Sequence, residues 1–323
     1  MNFSVIIPTY RRAAALEATL VSILRQGAVV REVIVVSQSE DEEHAAAARM
    51  MAVLGMGMNQ LRLLRLPTPS STAARNAGIA VATGDWAVFS DDDVIWPDGL
   101  LARLSAKLSA APDVAMLAAR DARRPNVARP LWRRWCGAFF CSDTWLPADR
   151  GRILMSIQGR YPAPLAGDVP TEWAMGYWFA VRRDLVESHR LRFDERMERY
   201  AYAEDLLFSA QCARAAAREG LRCVLSEEIA VEHLVSAEWR SPSAFAELCG
   251  PWNRIFVASQ LYPGAAFWLR LAAIYWSLPY QLAIRLFHRR PWMRCVQAHW
   301  LGLRHLSAIR AGSFAELYRR HGA

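Results

Sequence analysis

The four apolar residues Trp86-Ala87-Val88-Phe89 run through Ser90 straight into three consecutive carboxylates, Asp91, Asp92 and Asp93. An unbroken apolar run with a β-branched residue, entered through the turn-prone Thr83-Gly84-Asp85, suits a strand buried on both faces. The acids then stand at the carboxyl end of that strand, which in an open α/β sheet is where ligands bind. Adjacent like charges repel, and a hard divalent cation that takes their oxygens relieves the repulsion. Side chains alternate along a strand, so Asp91 and Asp93 project together. An acidic turn in water is the plainer explanation. Acids that close an apolar strand and precede the helix start Trp96-Pro97-Asp98 point instead to a metal site.

The residues before this strand repeat one pattern. Phe3 to Ile7 reads as a strand, Pro8-Thr9-Tyr10 as its exit loop, and Arg11 to Arg25 as a helix closed by Gly27. Glu32 to Val36 reads as a second strand, followed by the polar Ser37-Gln38-Ser39-Glu40-Asp41 and an alanine-rich helix to about Leu54. Leu61 to Leu66 makes a third strand, and Ser70-Ser71-Thr72 caps a helix through Ala82 that carries Arg75 and Asn76. Strands alternating with helices imply crossovers and a mostly parallel sheet. The loops after the first, second and fourth strands then share one edge, where a nucleotide is the natural occupant. Neither GxGxxG nor GxxxxGK[ST] is present.

A helix near Pro97 to Ser109 leads to Arg120 to Pro170, rich in Arg, Pro, Trp and Gly, which reads as an irregular insertion beside the crevice. Trp132, Trp135 and Trp145 either pack that insertion down or stack on a sugar. Glu172 to Val181 returns to strand character, with Gly176 allowing close approach. Glu204 and Asp205 fall in the first turn of a helix ending near Glu219, where peptide dipoles favour carboxylates; they are a functional pair or a common helix-start pair. Leu221 to Leu225 and Ile229 to His233 read as two closing strands. Alternation puts His233 with Ile229 and Val231, as a core residue or as a neutral metal ligand.

Six cysteines without a CxxC pair favour reduced thiols. The start lacks the basic region and cleavage site of a secretory signal, so a cytosolic chain is expected. The net charge of +8 is local: from Gly264 onward nine arginines face the single acid Glu316, leaving residues 1–263 close to neutral. Phe267 to Phe287 is apolar apart from Arg270 and Arg285, but its charge-free stretch of 14 residues contains Pro279 and is too short to span a bilayer. Tryptophans with arginines and almost no acids suit helices lying in the headgroups of an anionic membrane, at its inner face. The competing expectation is a helical subdomain packed on the rest of the chain or on a second copy, a homo-oligomer.

Taken in order and spacing, Val5-Ile6-Ile7-Pro8-Thr9-Tyr10, Ala74-Arg75-Asn76-Ala77-Gly78-Ile79, Asp91-Asp92-Asp93, Gly176 and Glu204-Asp205 resemble glycosyltransferase family 2, inverting enzymes of the GT-A fold, over about residues 3–235. The resemblance implies a Rossmann-like mixed α/β sheet in a catalytic domain over 1–240 (nucleotide half about 1–115, insertion about 120–170, acceptor half about 171–240); residues 241–323 read, from their own composition, as a helical, amphipathic, basic tail. It implies a nucleotide-sugar donor bound by Pro8, Thr9, Tyr10, Ser37, Arg75, Asp91 and Asp92. Mg²⁺ or Mn²⁺ would be held by Asp93, Asp91 and His233. Asp205 would be the base, and Trp173, Gly176, Tyr177 and Glu204 would flank a glycan or lipid-linked acceptor. Where the family carries an Asp-rich segment after its second strand, this chain has Ser37-Gln38-Ser39-Glu40-Asp41, in which Ser37 or Gln38 is a weaker acceptor than aspartate for a base N–H.

Two other classes are weighed against this one. A sugar nucleotidyltransferase would carry a glycine- and lysine-rich triphosphate loop, but Lys107 is the only lysine. A basic nucleic-acid-binding protein would carry its charge on a polar face, but here it accompanies an apolar tail, so no nucleic acid is expected as partner.

Overall fold

The computed structural model describes residues 1–27, 30–39, 45–46, 61–146, 149–198, 201–235, 243–289 and 291–321. Glu40, Asp41, Tyr200 and, apart from residues 45–46, the expected alanine-rich helix to Leu54 lie outside the described residues.

The first half follows the alternation of the sequence: β1 (Phe3–Thr9), α1 (Ala13–Leu24), β2 (Val30–Ser37), β3 (Leu61–Arg65), α2 (Ser71–Val81) and β4 (Trp86–Ser90). β1 pairs in parallel with both β2 and β4, and β2 with β3. The Ser70 hydroxyl accepts the Ala73 N–H at 3.3 Å, capping α2 as expected.

β5 (Val94–Ile95), α3 (Leu100–Ala110) and β6 (Val114–Asp121) come next. β6 has no counterpart among the sequence expectations, although Val114 to Ala119 is an apolar run of strand length. Arg120 to Pro170, expected to be irregular, begins inside β6 and contains the helix α4 (Leu131–Phe139). It also holds the antiparallel pair β7 (Arg152–Ile153) and β8 (Gly159–Arg160), and β9 (Val169–Pro170). Leu131, Trp132, Trp135 and Phe139 are exposed, so α4 lacks the core-facing apolar stripe that would reveal it in the sequence.

β10 (Trp178–Arg182) lies antiparallel between β4 and β6, making the sheet mixed. After α5 (Arg183–Ser188) and α6 (Glu204–Arg218), β11 (Arg222–His233) pairs in parallel with β6. The two closing strands expected from the sequence are therefore one. Its register slips between Ser226 and Ala230, so residues 227–229 oppose nothing on β6. Glu228 leaves the sheet there and reaches Lys107 at 3.1 Å, which explains why acids interrupt an otherwise apolar strand. Among the described residues the central sheet has nine strands, in the order β3-β2-β1-β4-β10-β6-β11-β5 with β9 on β11.

Successive strand residues feed opposite faces. Val5 and Ile7 pack with Leu16, Leu20 and Leu104 on one side, while Ile6, Ala74 and Phe208 pack together on the other. The cysteines are free thiols, as expected.

The tail comprises α7 (Ser243–Leu261), α8 (Ala265–Trp276), α9 (Leu278–Phe287), α10 (Met293–Arg304), α11 (Leu306–Ala311) and α12 (Phe314–Arg320). Ser277 ends α8, and Pro279 sits in the first turn of α9, where its missing N–H costs nothing. No helix of the described residues is long and apolar enough to cross a membrane. Trp252, Phe256, Phe267, Ile274 and Phe314 share one cluster with Ile157, Met197 and Leu207, so one side of the tail is core. Phe256 is fully buried against the Phe314 ring, at 5.3 Å, and under the Arg196 guanidinium. Truncating it in Phe256→Ala should cost about 3–5 kcal/mol, read as a fall in the urea midpoint of unfolding. A midpoint shift near zero would mean that the tail does not share the core.

Candidate active site

Because β1 and β4 are parallel neighbours, Thr9 and the three aspartates leave the sheet side by side. Asp92 turns towards the first loop. Its carboxylate accepts the Thr9 hydroxyl at 2.8 Å and the Arg12 guanidinium at 3.1 Å, and its carbonyl accepts the Thr19 hydroxyl at 2.8 Å. Burial pushes the Asp92 carboxyl up to about 7, against the opposing pull of Arg12 and Thr9.

Asp91 and Asp93 lie past the end of β4 at Ser90, in the turn that leads to β5, and come together with His233. One carboxylate oxygen from each and one His233 ring nitrogen all lie within 4.8 Å of one another. β11 delivers the histidine: His233 pairs with Val94, the Leu234 N–H donates to the Asp93 carbonyl at 2.9 Å, and His233 Nε2 lies 3.3 Å from Asp93 Oδ1. Tyr177 stacks on the imidazole at 5.2 Å and is pinned by its hydroxyl to the Ala119 carbonyl. Burial alone would push His233 down, but the hydrogen bond to Asp93 and the charges of Asp91 and Asp93 outweigh it and raise its pKa. Burial also pushes Asp91 up. Two carboxylates and one imidazole, close together and costly to bury charged, fit a divalent cation: the oxygens suit Mg²⁺ or Mn²⁺, and the imidazole favours Mn²⁺.

The second acidic pair is joined to the first by one side chain. Arg75, buried in α2, donates to Asp91 at 2.9 Å and also to Glu204 in the first turn of α6. Its guanidinium stands 5.4 Å from the centre of the Phe193 ring. Asp205 accepts the Gly176 N–H at 2.6 Å on one oxygen and its own neighbour's N–H, from Leu206, at 2.8 Å on the other. A Cβ on Gly176 would lie 3.0–3.3 Å from the Asp205 carboxyl group, so glycine permits this approach. Burial pushes both acids up, Glu204 to about 7, with Arg75 opposing in each case.

The other residues singled out from the sequence divide. Pro8 and Ser37 sit at the ends of β1 and β2, where Thr9 and Ser37 are register partners, and Tyr10 lies under Arg11. Trp173, expected beside the acceptor, is 4 % exposed, with its ring tilted against Tyr161 at 4.5 Å and pressed against Gly159, so it belongs to the core. Tyr177, also expected there, supports His233 instead. Sequence reasoning missed Arg12, which lies 3.1 Å from Asp92 and 3.7 Å from Asp93. The need of three acids for a cation, and an Arg-Arg pair two residues past Thr9, was the available signal. It also missed Asp121, which accepts the His233 N–H at 3.3 Å.

Solved structures share this architecture. The mannosyltransferase PcManGT from Pyrobaculum calidifontis, in complex with GDP-Man and Mn²⁺, superposes with a TM-score of 0.55 at 18 % identity over 97 % of this chain and 85 % of that one. S. aureus TarS 1–349 in complex with UDP-GlcNAc gives 0.51 at 17 % identity over 88 % and 73 %. The fold is thus GT-A, as the resemblance implied. Glycosyltransferase YibD of Escherichia coli (strain K12), itself uncharacterized, is 26 % identical over 201 residues, which are 59 % of this chain and 52 % of that protein; the chain spans about half the length of this curated relative. The sequence model of glycosyl transferase family 2 matches residues 4–188. The chain belongs to that family.

The raised Glu204 carboxyl makes a pH prediction. In the window from 4.5 to about 7 the folded protein keeps a proton that the unfolded chain releases, so stability contributed by Glu204 is complete below that window and is lost as pH rises through it. Urea midpoints of Glu204→Gln should therefore fall less between about pH 5 and about pH 7 than those of the unaltered protein. Parallel curves would assign the titration elsewhere.

Proposed function

We propose that this protein is a metal-dependent, inverting glycosyltransferase that moves a sugar from a nucleotide-sugar donor to a hydroxyl of a lipid-linked or polysaccharide acceptor. One observation carries the reading: the Arg75 guanidinium touches both Asp91, of the cation-binding group, and Glu204, the neighbour of Asp205. The two acidic sites therefore lie side by side, which supports a single displacement between them. A relative of this fold solved with GDP-Man and Mn²⁺ supports the choice of donor class and cation. Lys107, the only lysine, is tied to Asp168 and Glu228, which speaks against a nucleotidyltransferase.

Asp91, Asp93 and His233 hold the cation, which when bound supplies positive charge to the departing diphosphate. Asp92 and Arg12 brace the first loop, so that Pro8, Thr9, Tyr10 and Ser37 form the nucleotide wall. Arg75 opposes the upward push of burial on Asp91 and Glu204. Asp205, fixed by the amides of Gly176 and Leu206, takes the proton of the acceptor hydroxyl, and burial raises its basicity for that task. Attack from the side opposite the leaving group inverts the anomeric carbon.

The tail supports a peripheral place at the inner face of the cytoplasmic membrane. Trp268, Trp276, Phe287 and Trp300 are each at least half exposed, on a segment with nine arginines and one acid.

Asp205→Asn should reduce transfer by about 10²–10⁴-fold while donor still raises the melting temperature. A variant that keeps most of its rate would remove Asp205 as the base. Asp93→Ala should abolish the part of the donor-induced thermal shift that depends on Mn²⁺, across a panel of nucleotide sugars. An undiminished Mn²⁺-dependent shift would place the cation elsewhere.

A further inference from the structure

The insertion holds a cavity that the reading above does not use. Five arginines line it: Arg129, Arg134, Arg150, Arg152 and Arg160. Among the described residues two acids answer them. Asp143 lies 3.4 Å from both Arg129 and Arg160, and Asp149 pairs with Arg152 at 2.7 Å and Arg150 at 3.7 Å. Arg134 has no acidic partner among the described residues, so the cavity carries three positive charges in excess. Arg160 is held largely out of water, and burial together with the neighbouring Arg129 lowers its pKa. Such a site costs free energy unless an anion enters it. Guanidinium forks suit phosphate oxygens in particular.

The cavity is joined to the proposed base and to an exposed apolar surface. Its wall residue Tyr161 accepts the Met175 N–H at 2.9 Å, and the next amide, Gly176, donates to Asp205 at 2.6 Å. On the outer side, α4 carries Arg134 into the lining and leaves Leu131, Trp132 and Trp135 between 63 and 70 % exposed. Trp145, exposed, meets Trp135 edge to face at 5.3 Å, and Leu146 reaches the cavity rim. The surface continues into the tail, where the Trp276 indole N–H donates to the Phe139 carbonyl at 2.7 Å. Three tryptophans beside a cavity whose arginines outnumber its acids match an amphiphile with a phosphorylated head.

We propose that this cavity binds the terminal phosphate or diphosphate of a lipid-linked acceptor, with the α4 tryptophans in the bilayer and the acceptor hydroxyl directed towards Asp205. The inference rests on the lipid-linked form of the acceptor proposed above. It also gives Trp132, Trp135 and Trp145 a role other than packing or sugar stacking.

The test is co-sedimentation of the full chain with vesicles of phosphatidylcholine alone, or mixed with phosphatidic acid (a phosphate monoester) or phosphatidylglycerol (a diester). Phosphatidic acid should bind best, and inorganic pyrophosphate should compete for that preference. Arg129→Gln/Arg134→Gln, changes at accessible side chains, should weaken phosphatidic acid binding about tenfold or more and leave phosphatidylglycerol binding nearly unchanged. Trp132→Ser/Trp135→Ser should weaken binding to every vesicle. Equal binding to the two anionic lipids, indifferent to pyrophosphate and to the arginine changes, overturns the site and leaves surface charge alone. Pyrophosphate binding that depends on the arginines, without any vesicle binding, overturns the lipid source of the phosphate. Donor-induced thermal shift, measured on the same variants, separates the two readings. Its persistence while the cavity fails leaves the transferase reading intact, and its absence from the unaltered protein removes that reading.

Discussion

A buried guanidinium holds the two halves of the site together. Arg75 is 4 % exposed and lies among Asp91, Glu204 and Asp205, three carboxylates drawn from a strand end and a helix start far apart in the chain. Without it those acids would lose the positive charge that opposes the upward push of burial on each of them. With it, one cation on α2 sets the spacing between β4 and α6. Removing one partner of a buried pair leaves a charge without compensation, which is why such a bridge tolerates little change. It also spends no positive charge on solvent.

A second level of organisation surrounds that bridge. Each acid is assigned a different neighbour: Asp92 goes to Thr9 and Arg12, Asp93 to His233, Asp91 to Arg75 and Asp205 to two backbone amides. Tyr177 and Asp121 act one step further out, holding the imidazole ring and the backbone of His233. The insertion and the tail are equally divided in character. One side is core, through Ile157, Trp252 and Phe256, and the other exposes tryptophans and arginines.

The acidic strand end, the alternating strands of the first half and the Ser70 cap were legible because each depends on local periodicity or on a single hydrogen bond. The first-turn position of Glu204 and Asp205 was legible for the same reason. Where the reading fell short, a distant partner decided the outcome. β11 appeared as two strands because Glu227 and Glu228 break its pattern, and only its pairing with β6 and the ion pair to Lys107 show that the chain continues through a bulge. Trp173 and Tyr177 looked like acceptor residues because aromatic side chains suit both sugars and cores. Their partners, Tyr161 and His233, lie 12 and 56 positions away in the sequence.

What the sequence determined alone is the class of fold and the edge at which the acids gather, since these follow from strand and helix periods that each segment carries within itself. The tertiary structure decided which charges meet. That Arg75 bridges Asp91 and Glu204, that Arg12 rather than a cation takes Asp92, and that five arginines of the insertion share one cavity are outcomes of packing. Coulomb energy depends on separation in space and on burial, and neither is a property of sequence spacing.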